Sequence, residues 1–109
     1  MAYGITNQSQ IINLDEIKTG CNMLESAAEA LKEYGNSVVN ISDICDTKAL
    51  SANGKSMVPV IQEKGATIVK IGEELSEYAS NLLEAASEVY RIQNNEYAAY
   101  VEEQKKNDN

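Results

Sequence analysis

The sequence predicts an all-α protein: an antiparallel two-helix hairpin that pairs into a four-helix bundle as a dimer. Core-type residues recur in alternating steps of three and four along two long stretches, which is the spacing of a heptad seam on a helix. A turn-rich segment separates the two stretches. The composition is rich in Ala, Glu, Leu and Lys and contains no His, Trp or Phe, which suits long helices. We therefore expect a single helical-hairpin domain over residues 1–109.

The first helix is predicted from about residue 10 to about residue 46. Asn13 and Glu16 form a capping pair at its start. Large and small residues alternate along its seam, which is Leu14, Ile17, Cys21, Leu24, Ala28, Leu31, Gly35, Val38, Ser42 and Cys45.

The turn is predicted at about residues 47–56 and the second helix at about residues 57–104. Pro59 keeps all helix hydrogen bonds only in a first turn, so the helix should start near Ser56 as its cap. Its seam repeats the alternation of the first helix, with Val58, Ile61, Gly65, Ile68, Gly72, Leu75, Ala79, Leu82, Ala86 and Val89.

Folding the chain back near Ser51 pairs residues whose numbers sum to 103. Each large residue then lies over a small one, as Leu31 lies over Gly72 and Ile68 over Gly35. The small residues would let the helices approach closely, because protein interiors pack densely. The hairpin packing is accordingly assigned to Leu31, Gly35, Gly65, Ile68, Gly72, Leu75 and Ala79.

A second apolar row runs one position before the small residues. A two-helix hairpin covers only one stripe per helix, so this row would stay exposed in a monomer. We expect a partner to cover it, either a second copy or another helical hairpin. The predicted partner interface is Tyr34, Ile41, Ile71, Tyr78, Ala85 and Ile92.

Several functions are disfavoured by composition. With 17 acidic and 9 basic residues and a net charge of -8, the chain would be repelled by nucleic acid and by anionic membranes. The start lacks a basic region followed by a long apolar run, so we expect no signal peptide and no membrane insertion. The absence of His and of any nucleophile beside a base argues against an enzyme, a metal site or a cofactor.

Two sequence features that could suggest a chemical site, a phosphate-binding loop and a cysteine pair, are better explained as structural. The stretch "ANGKS" lacks the first glycine of a phosphate-binding loop, because Ala49 stands at that position. Cys21 and Cys45 lie on one predicted helix, about 36 Å apart at 1.5 Å per residue, which is too far for a disulfide. We interpret both as small core residues.

The end of the second helix should extend beyond the start of the first, with residues 1–12 against it. Three tyrosines, Tyr90, Tyr97 and Tyr100, occur in this part of the chain. They indicate either a recognition tail or a helix end that a partner covers.

The chain resembles the WXG (Esx-type) family of small helical hairpins exported by type VII secretion systems of Gram-positive bacteria and mycobacteria. The resemblance covers length, acidic charge, the two helices and the stretch "LLEAASEVYRIQN". In that family a W-x-G tripeptide in the turn and a Y-x-x-x-D/E motif form a composite export signal. Here Ala52, Asn53 and Gly54 stand at the tripeptide, so the glycine is kept, and Tyr90 and Asn94 match the second motif with an amide for the carboxylate.

The chain is similar to the WXG-lacking small proteins that accompany LXG toxins. That resemblance implies a targeting partner or substrate of type VII secretion, bound to the N-terminal helices of a toxin and presented to the secretion ATPase. The protein would be cytoplasmic before export and then secreted or at the cell surface. The alternative is a structural four-helix homodimer or cytoplasmic adaptor without an export role.

Overall fold

The computed structural model describes residues 4–47 and 52–107. Its elements are a short 3-10 helix, Gln8–Gln10, followed by α1, Leu14–Thr47, and α2, Ala52–Asn107. The described residues contain no strand, and the two helices pack against each other as a hairpin. The predicted all-α hairpin is therefore confirmed, whereas its pairing into a dimer stays a prediction.

The chain divides into two compact units. The central unit is Asn22–Ala79, and the terminal unit combines Met1–Cys21 with Ser80–Asn109. Each unit contains a length of both helices.

In the terminal unit, α1 begins at Leu14, four residues later than the sequence predicted. The side-chain oxygen of Asn13 accepts a hydrogen bond from the Glu16 backbone N–H at 3.1 Å, as the capping pair predicted. The preceding Gln8–Gln10 turn has its own capping box, formed by Asn7 and Gln10, and Ile11 after it is extended. These local hydrogen bonds hold residues 7–10 in a separate turn, so α1 does not extend back to residue 10.

The start of α2 differs from the prediction. The helix begins at Ala52, and Pro59 lies inside it rather than in its first turn, so a start at residue 57 with Ser56 as cap is wrong. Proline has no N–H to donate to the carbonyl four residues earlier, which is that of Lys55, but its fixed φ is close to the helical value. The predicted turn at 47–56 is helical at both ends, and residues 48–51, including Ser51, lie outside the described residues.

The small residues of the two helices face each other in the central unit. A Cβ built on Gly35 would lie 2.7 Å from the backbone oxygen of Gly65 and 2.6 Å from Val69 Cγ2. One built on Gly72 would lie 2.8 Å from the backbone oxygen of Ala28 and 2.7 Å from Lys32 Cγ. The backbones of the two helices are therefore in direct contact, and a side chain at Gly35 or Gly72 would not fit between them.

The nearest neighbours of the glycines indicate the register of the central unit. The atoms nearest to a Cβ on Gly35 or Gly72 belong to residues whose numbers sum with that of the glycine to 100 or 104, on either side of the predicted 103. The pairing of Leu31 with Gly72 and of Ile68 with Gly35 stays a prediction, and Leu31, Ile68 and Leu75 are half-buried. The predicted small packing residues, by contrast, are buried, with Ala79 just 1% exposed.

Candidate partner-binding surface

One side of the central unit carries the polar contacts between the two helices, beside the half-buried Val39 and Val69. The Ser76 hydroxyl donates to the Glu25 carboxylate at 2.8 Å, and the Gln62 amide donates to Asp43 at 3.5 Å. Both bonds join α1 to α2, and Glu25, Gln62 and Ser76 each lie four positions after a buried seam residue. The positions four residues after the seam therefore share one side of the helix pair.

The predicted apolar row lies on the opposite side of the central unit. On a helix, the position before a seam residue lies about 140° away from the position four after it, so the row is turned away from the polar side on both helices. The large residues of the row are exposed, at 62% for Tyr34, 54% for Ile41, 49% for Ile71 and 59% for Tyr78. The half-buried Leu31, Ile68 and Leu75 border this row and widen the apolar face.

Helix α1 also has an exposed seam that the sequence analysis did not identify. We call it the outer seam; its residues follow one another in steps of four and three and are all exposed: Met23, Ala27, Ala30, Tyr34, Ser37 and Ile41. It contains no charged residue. The heptad spacing of this seam is present in the sequence, but the predicted apolar row includes only Ala27, Tyr34 and Ile41 from it.

The corresponding face of α2 is interrupted by charge. Met57 is 52% exposed and extends the predicted row toward the start of the helix. Between Met57 and Ile71 the row holds Lys64, and Glu74 lies between Ile71 and Tyr78 on the same face. The two helices of the central unit therefore present different surfaces, one uncharged and one with a fixed pattern of charge.

In the terminal unit α2 presents a further apolar stripe. Leu82, Val89 and Ile92 are 38%, 43% and 43% exposed, and Ala85 between them is also exposed. Their steps of three, four and three correspond to one face of a helix. The predicted interface residues Ala85 and Ile92 thus lie on an exposed stripe that includes two large residues of the predicted seam.

Tyr90 and Asn94, the export-signal-like pair, lie next to each other in the terminal unit. The Asn94 side-chain amide donates to the backbone oxygen of Tyr90 at 2.8 Å. A carboxylate at this position could not donate this bond, so the amide here is tied to its own helix. Tyr90 is 38% exposed.

An open groove of about 440 Å³ lies beside this pair. The residues lining it are Gln8, Ile11, Ile12, Asn13, Leu14, Asp15, Lys18, Tyr90 and Asn94. The N-terminal segment, the start of α1 and the pair of Tyr90 and Asn94 therefore all line the groove.

Residues 4–12, the part of the N-terminal segment that the structure describes, contact α2 as the sequence predicted. The Ile12 backbone N–H donates to the Gln93 side-chain oxygen at 2.9 Å, and Ile5 is buried, at 7% exposure. A Cβ on Gly4 would lie 3.0 Å from a carboxylate oxygen of Glu96. Gln93 was not recognised from the sequence, because its hydrogen-bond partner lies 81 positions away along the chain.

Helix α2 carries an ion pair between Glu88 and Arg91, next in sequence to Tyr90. The Arg91 guanidinium hydrogen-bonds to Glu88 one turn earlier, which lowers the pKa of the Glu88 carboxyl and raises the pKa of Arg91. Both side chains are exposed, so the pair contributes little to stability.

The third export-signal-like residue, Gly54, lies in the first turn of α2. The tripeptide is thus helical rather than part of a turn. Cys21 is buried with a free thiol, and the side chain of Cys45 lies outside the described residues. Within the described part of the chain, no cluster of His, Cys, Asp or Glu could hold a metal ion, and no helix has the length and apolar character to span a membrane.

Comparison with protein-family models, with curated proteins and with solved structures finds no match to this chain. The exposed apolar surface and the residues that carry the family resemblance are therefore the features of this chain that indicate a function.

Proposed function

We propose that the protein is a type VII secretion substrate or targeting partner that binds a helical partner for export. The observation that supports this most directly is the exposed apolar face of the central unit, opposite its polar side. Contiguous apolar surface of this kind marks a protein interaction site in soluble proteins. An LXG toxin, whose N-terminal region is helical in the family that the chain resembles, is the proposed partner.

The chemistry of the face fits a partner helix. Tyr34 on α1 and Ile71 and Tyr78 on α2 are exposed anchors on this face, and an amphipathic helix recognises such anchors by its own apolar face. Aromatic residues contribute strongly to interfaces because they bury a large area with few rotatable bonds. Lys64 and Glu74 would select a partner with opposite charges at matching positions.

The terminal unit would present the export signal. Tyr90 is accessible there, beside a groove that a receptor could enter. The amide of Asn94 supplies no negative charge and is bonded to its own helix, so the partner would have to supply the charged part of the signal. We propose that the secretion ATPase recognises the complex rather than this chain alone. The protein would be cytoplasmic before export and then secreted or at the cell surface.

Export and partner binding are tested separately. We expect the protein in culture supernatant from cells with the secretion ATPase and not from cells that lack it. Tyr90→Ala should reduce the exported fraction without changing helicity. Equal amounts of protein in the two supernatants would contradict the export proposal.

For partner binding, we expect the N-terminal helices of the toxin to co-elute with this chain on gel filtration. The variant Tyr78→Ser should abolish co-elution, and Glu73→Ser on the polar side is the matched control. Separate elution of the wild-type proteins would exclude the heteromeric complex.

A structural four-helix homodimer without an export role is the second candidate. The uncharged outer seam of α1 favours it, because a second copy can cover this seam without opposing like charges. Dimerisation combined with retention in the cell would support this function over the first.

A further inference from the structure

Residues 4–11, which we call the strap, form a turn with its own hydrogen bonds. The Gln10 side-chain oxygen accepts hydrogen bonds from the backbone N–H groups of Thr6 and Asn7, at 2.8 and 3.0 Å. The backbone N–H of Gln10 in turn donates to the Asn7 carbonyl at 2.9 Å. All of these bonds lie within the strap, so it can keep its shape without either long helix.

Few contacts hold the strap in place. Among residues 4–11, all of which the structure describes, Ile5 alone is buried, at 7% exposure. Beside it, a Cβ on Gly4 would lie 3.0 Å from a carboxylate oxygen of Glu96 on α2. A segment with few buried apolar contacts opens at a lower cost than the whole fold. The strap can therefore leave α2 while the hairpin stays folded.

Ile12 connects the strap to α1. The residue before it, Ile11, is extended, with φ -79° and ψ 135°, and Asn13 after it already caps α1 by accepting from the Glu16 N–H. The Ile12 N–H donates to the Gln93 side chain at 2.9 Å. Hinges are short connections that absorb a change in φ and ψ. Breaking the bond to Gln93 therefore frees the connection between two pieces that keep their own hydrogen bonds.

The strap lies at a level of α2 that α1 does not reach. Leu14, the first residue of α1, lies near Tyr90, because both line the same groove. Tyr97 is a further seven residues along α2, about 10 Å at 1.5 Å per residue, and it follows the residue that Gly4 approaches. Tyr97 is half-buried, whereas Tyr78, on an uncovered face of the same helix, is 59% exposed. Coverage by the strap explains this difference.

The strap also completes the groove beside Tyr90. Gln8 and Ile11 belong to the strap, and both line the groove together with Tyr90 and Asn94. Movement of the strap away from α2 would remove these two side chains and open that side of the groove to solvent. The groove of about 440 Å³ therefore requires a closed strap.

We infer that the strap opens and closes as a unit about Ile12, so that the groove beside Tyr90 exists only in the closed state and Tyr97 is accessible only in the open state. A ligand shifts such an equilibrium toward the state that it binds more tightly. A receptor in the groove would hold the strap closed, a consequence that rests on the proposed function. Opening of the strap itself does not depend on export.

Thiol labelling of the full chain tests this opening. Tyr97→Cys places a thiol under the strap, Cys45→Ser in the same chain removes a competing thiol, and Cys21 is buried. The thiol at position 97 should react about 10-fold or more slowly than one introduced by Tyr78→Cys, because it reacts only in the open state. Equal rates at the two positions would overturn the inference.

Two further substitutions in the Tyr97→Cys chain loosen the strap. Ile5→Ser removes the buried apolar side chain and should raise the labelling rate about 10-fold or more, toward the rate at position 78. Gln93→Ala removes the acceptor of the Ile12 N–H and should raise the rate about threefold or more. Labelling rates unchanged by both substitutions would show that the strap does not cover Tyr97.

The matched controls are Ser9→Ala in the strap and Asn95→Ala on α2, both at exposed positions, and neither should change the labelling rate. All variants should keep wild-type helicity by circular dichroism, because the strap contains no α-helix. NMR chemical shifts of Asn7 and Gln10 in the Gln93→Ala chain test movement as a unit. We expect shifts close to those of the wild type, and random-coil shifts would show that the strap unfolds instead of opening.

Discussion

Individual glycines set the distance between the helices of the central unit. None of the described glycines has a positive φ, so their small size rather than their conformational freedom explains their positions. Gly35 has backbone atoms of Gly65 and Val69 within 3 Å of where its Cβ would be. Backbone cannot move aside as a flexible side chain can, so these sites exclude even a methyl group.

Gly35→Ala should therefore destabilise the protein although alanine favours helix. We expect overpacking of about 1–3 kcal/mol to outweigh a helix gain of about 0.5–1 kcal/mol. Gly20→Ala is the control, because a Cβ on this α1 residue would meet nothing within 4 Å; it should raise stability by the helix term alone. Urea denaturation of the two variants measures both effects, and equal changes would show that the close approach at Gly35 is unimportant.

The amide of Asn94 is a second site where one residue decides a local structure. Asn94→Asp removes the donor that bonds the Tyr90 carbonyl and should lower stability by about 0.5–1.5 kcal/mol. It also creates the carboxylate of the family motif, so we expect more of the protein in the culture supernatant. Asn95→Asp, next to it and exposed, is the control. Unchanged export with Asn94→Asp would mean that the receptor does not recognise a carboxylate here.

Acid titration should reveal the ion pair of Glu88 and Arg91. The hydrogen bond and charge of Arg91 depress the pKa of Glu88 in the folded protein. The small contribution of this pair to stability is therefore complete above the ordinary carboxyl pKa and is lost as pH falls through the depressed pKa of Glu88. Arg91→Gln should raise the pKa of Glu88 toward its ordinary value, as measured by NMR titration of its side chain. An unchanged pKa of Glu88 in Arg91→Gln would contradict the ion pair.

At the scale of elements, the N-terminal segment behaves as an additional packed piece of the terminal unit. Gln93→Ala removes the acceptor of the Ile12 N–H and should increase the hydrogen-exchange rate of that amide without affecting α2. Gln104→Ala, at an exposed position of the same helix, should leave the rate unchanged. Equal rates in wild type and Gln93→Ala would show that the bond does not hold the segment.

The helices themselves were predictable from the sequence, because heptad spacing and the Asn13 cap are local signals. The position of Pro59 within α2 was not, since its missing hydrogen bond favours a helix start and the rest of the helix outweighs it. The predicted register, in which residue numbers sum to 103, lies between the sums of 100 and 104 that the contacts of the glycines give. The pattern of large residues over small ones did not predict that the backbones at Gly35 and Gly65 would come into direct contact.

At the scale of the whole molecule, the protein exposes 7803 Å², whereas a globular monomer of its mass exposes roughly 6,000 Å². The fully buried positions are small residues, such as Ala28 at 0% exposure. Large side chains such as Tyr34 and Tyr78 are more than half exposed, so apolar surface is available to a partner.

Because this surface is exposed, we expect substitutions on the apolar face to weaken partner binding without lowering the stability of the fold. Tyr78→Ser should change the free energy of unfolding by no more than about 0.5 kcal/mol, because the residue is largely exposed, while partner binding is lost. Ala79→Asp at the adjacent buried position should instead destabilise the fold, since it buries a charge. Thermal melting with a parallel binding assay distinguishes the two, and a large loss of stability with Tyr78→Ser would place it in the core.

The apolar row of the candidate surface was predictable, because its residues follow the seam at a constant offset. The outer seam was harder to recognise, since alanines and Ser37 fill half of its positions and only their exposure shows that they form a surface. The groove beside Tyr90 and the role of Gln93 depend on contacts between distant parts of the chain, which no local pattern predicts.

The direct contact between helix backbones also determines how this protein can change over evolutionary time. Leucines and isoleucines at the rim of the contact can be exchanged for one another with little effect on the fold. Gly35, Gly65 and Gly72 cannot be exchanged in this way. Gly65 lies 30 positions after Gly35, and Gly72 lies 7 positions after Gly65. Distant homologues would therefore be recognised by that interval between glycines, even where the remaining sequence has diverged beyond detectable similarity.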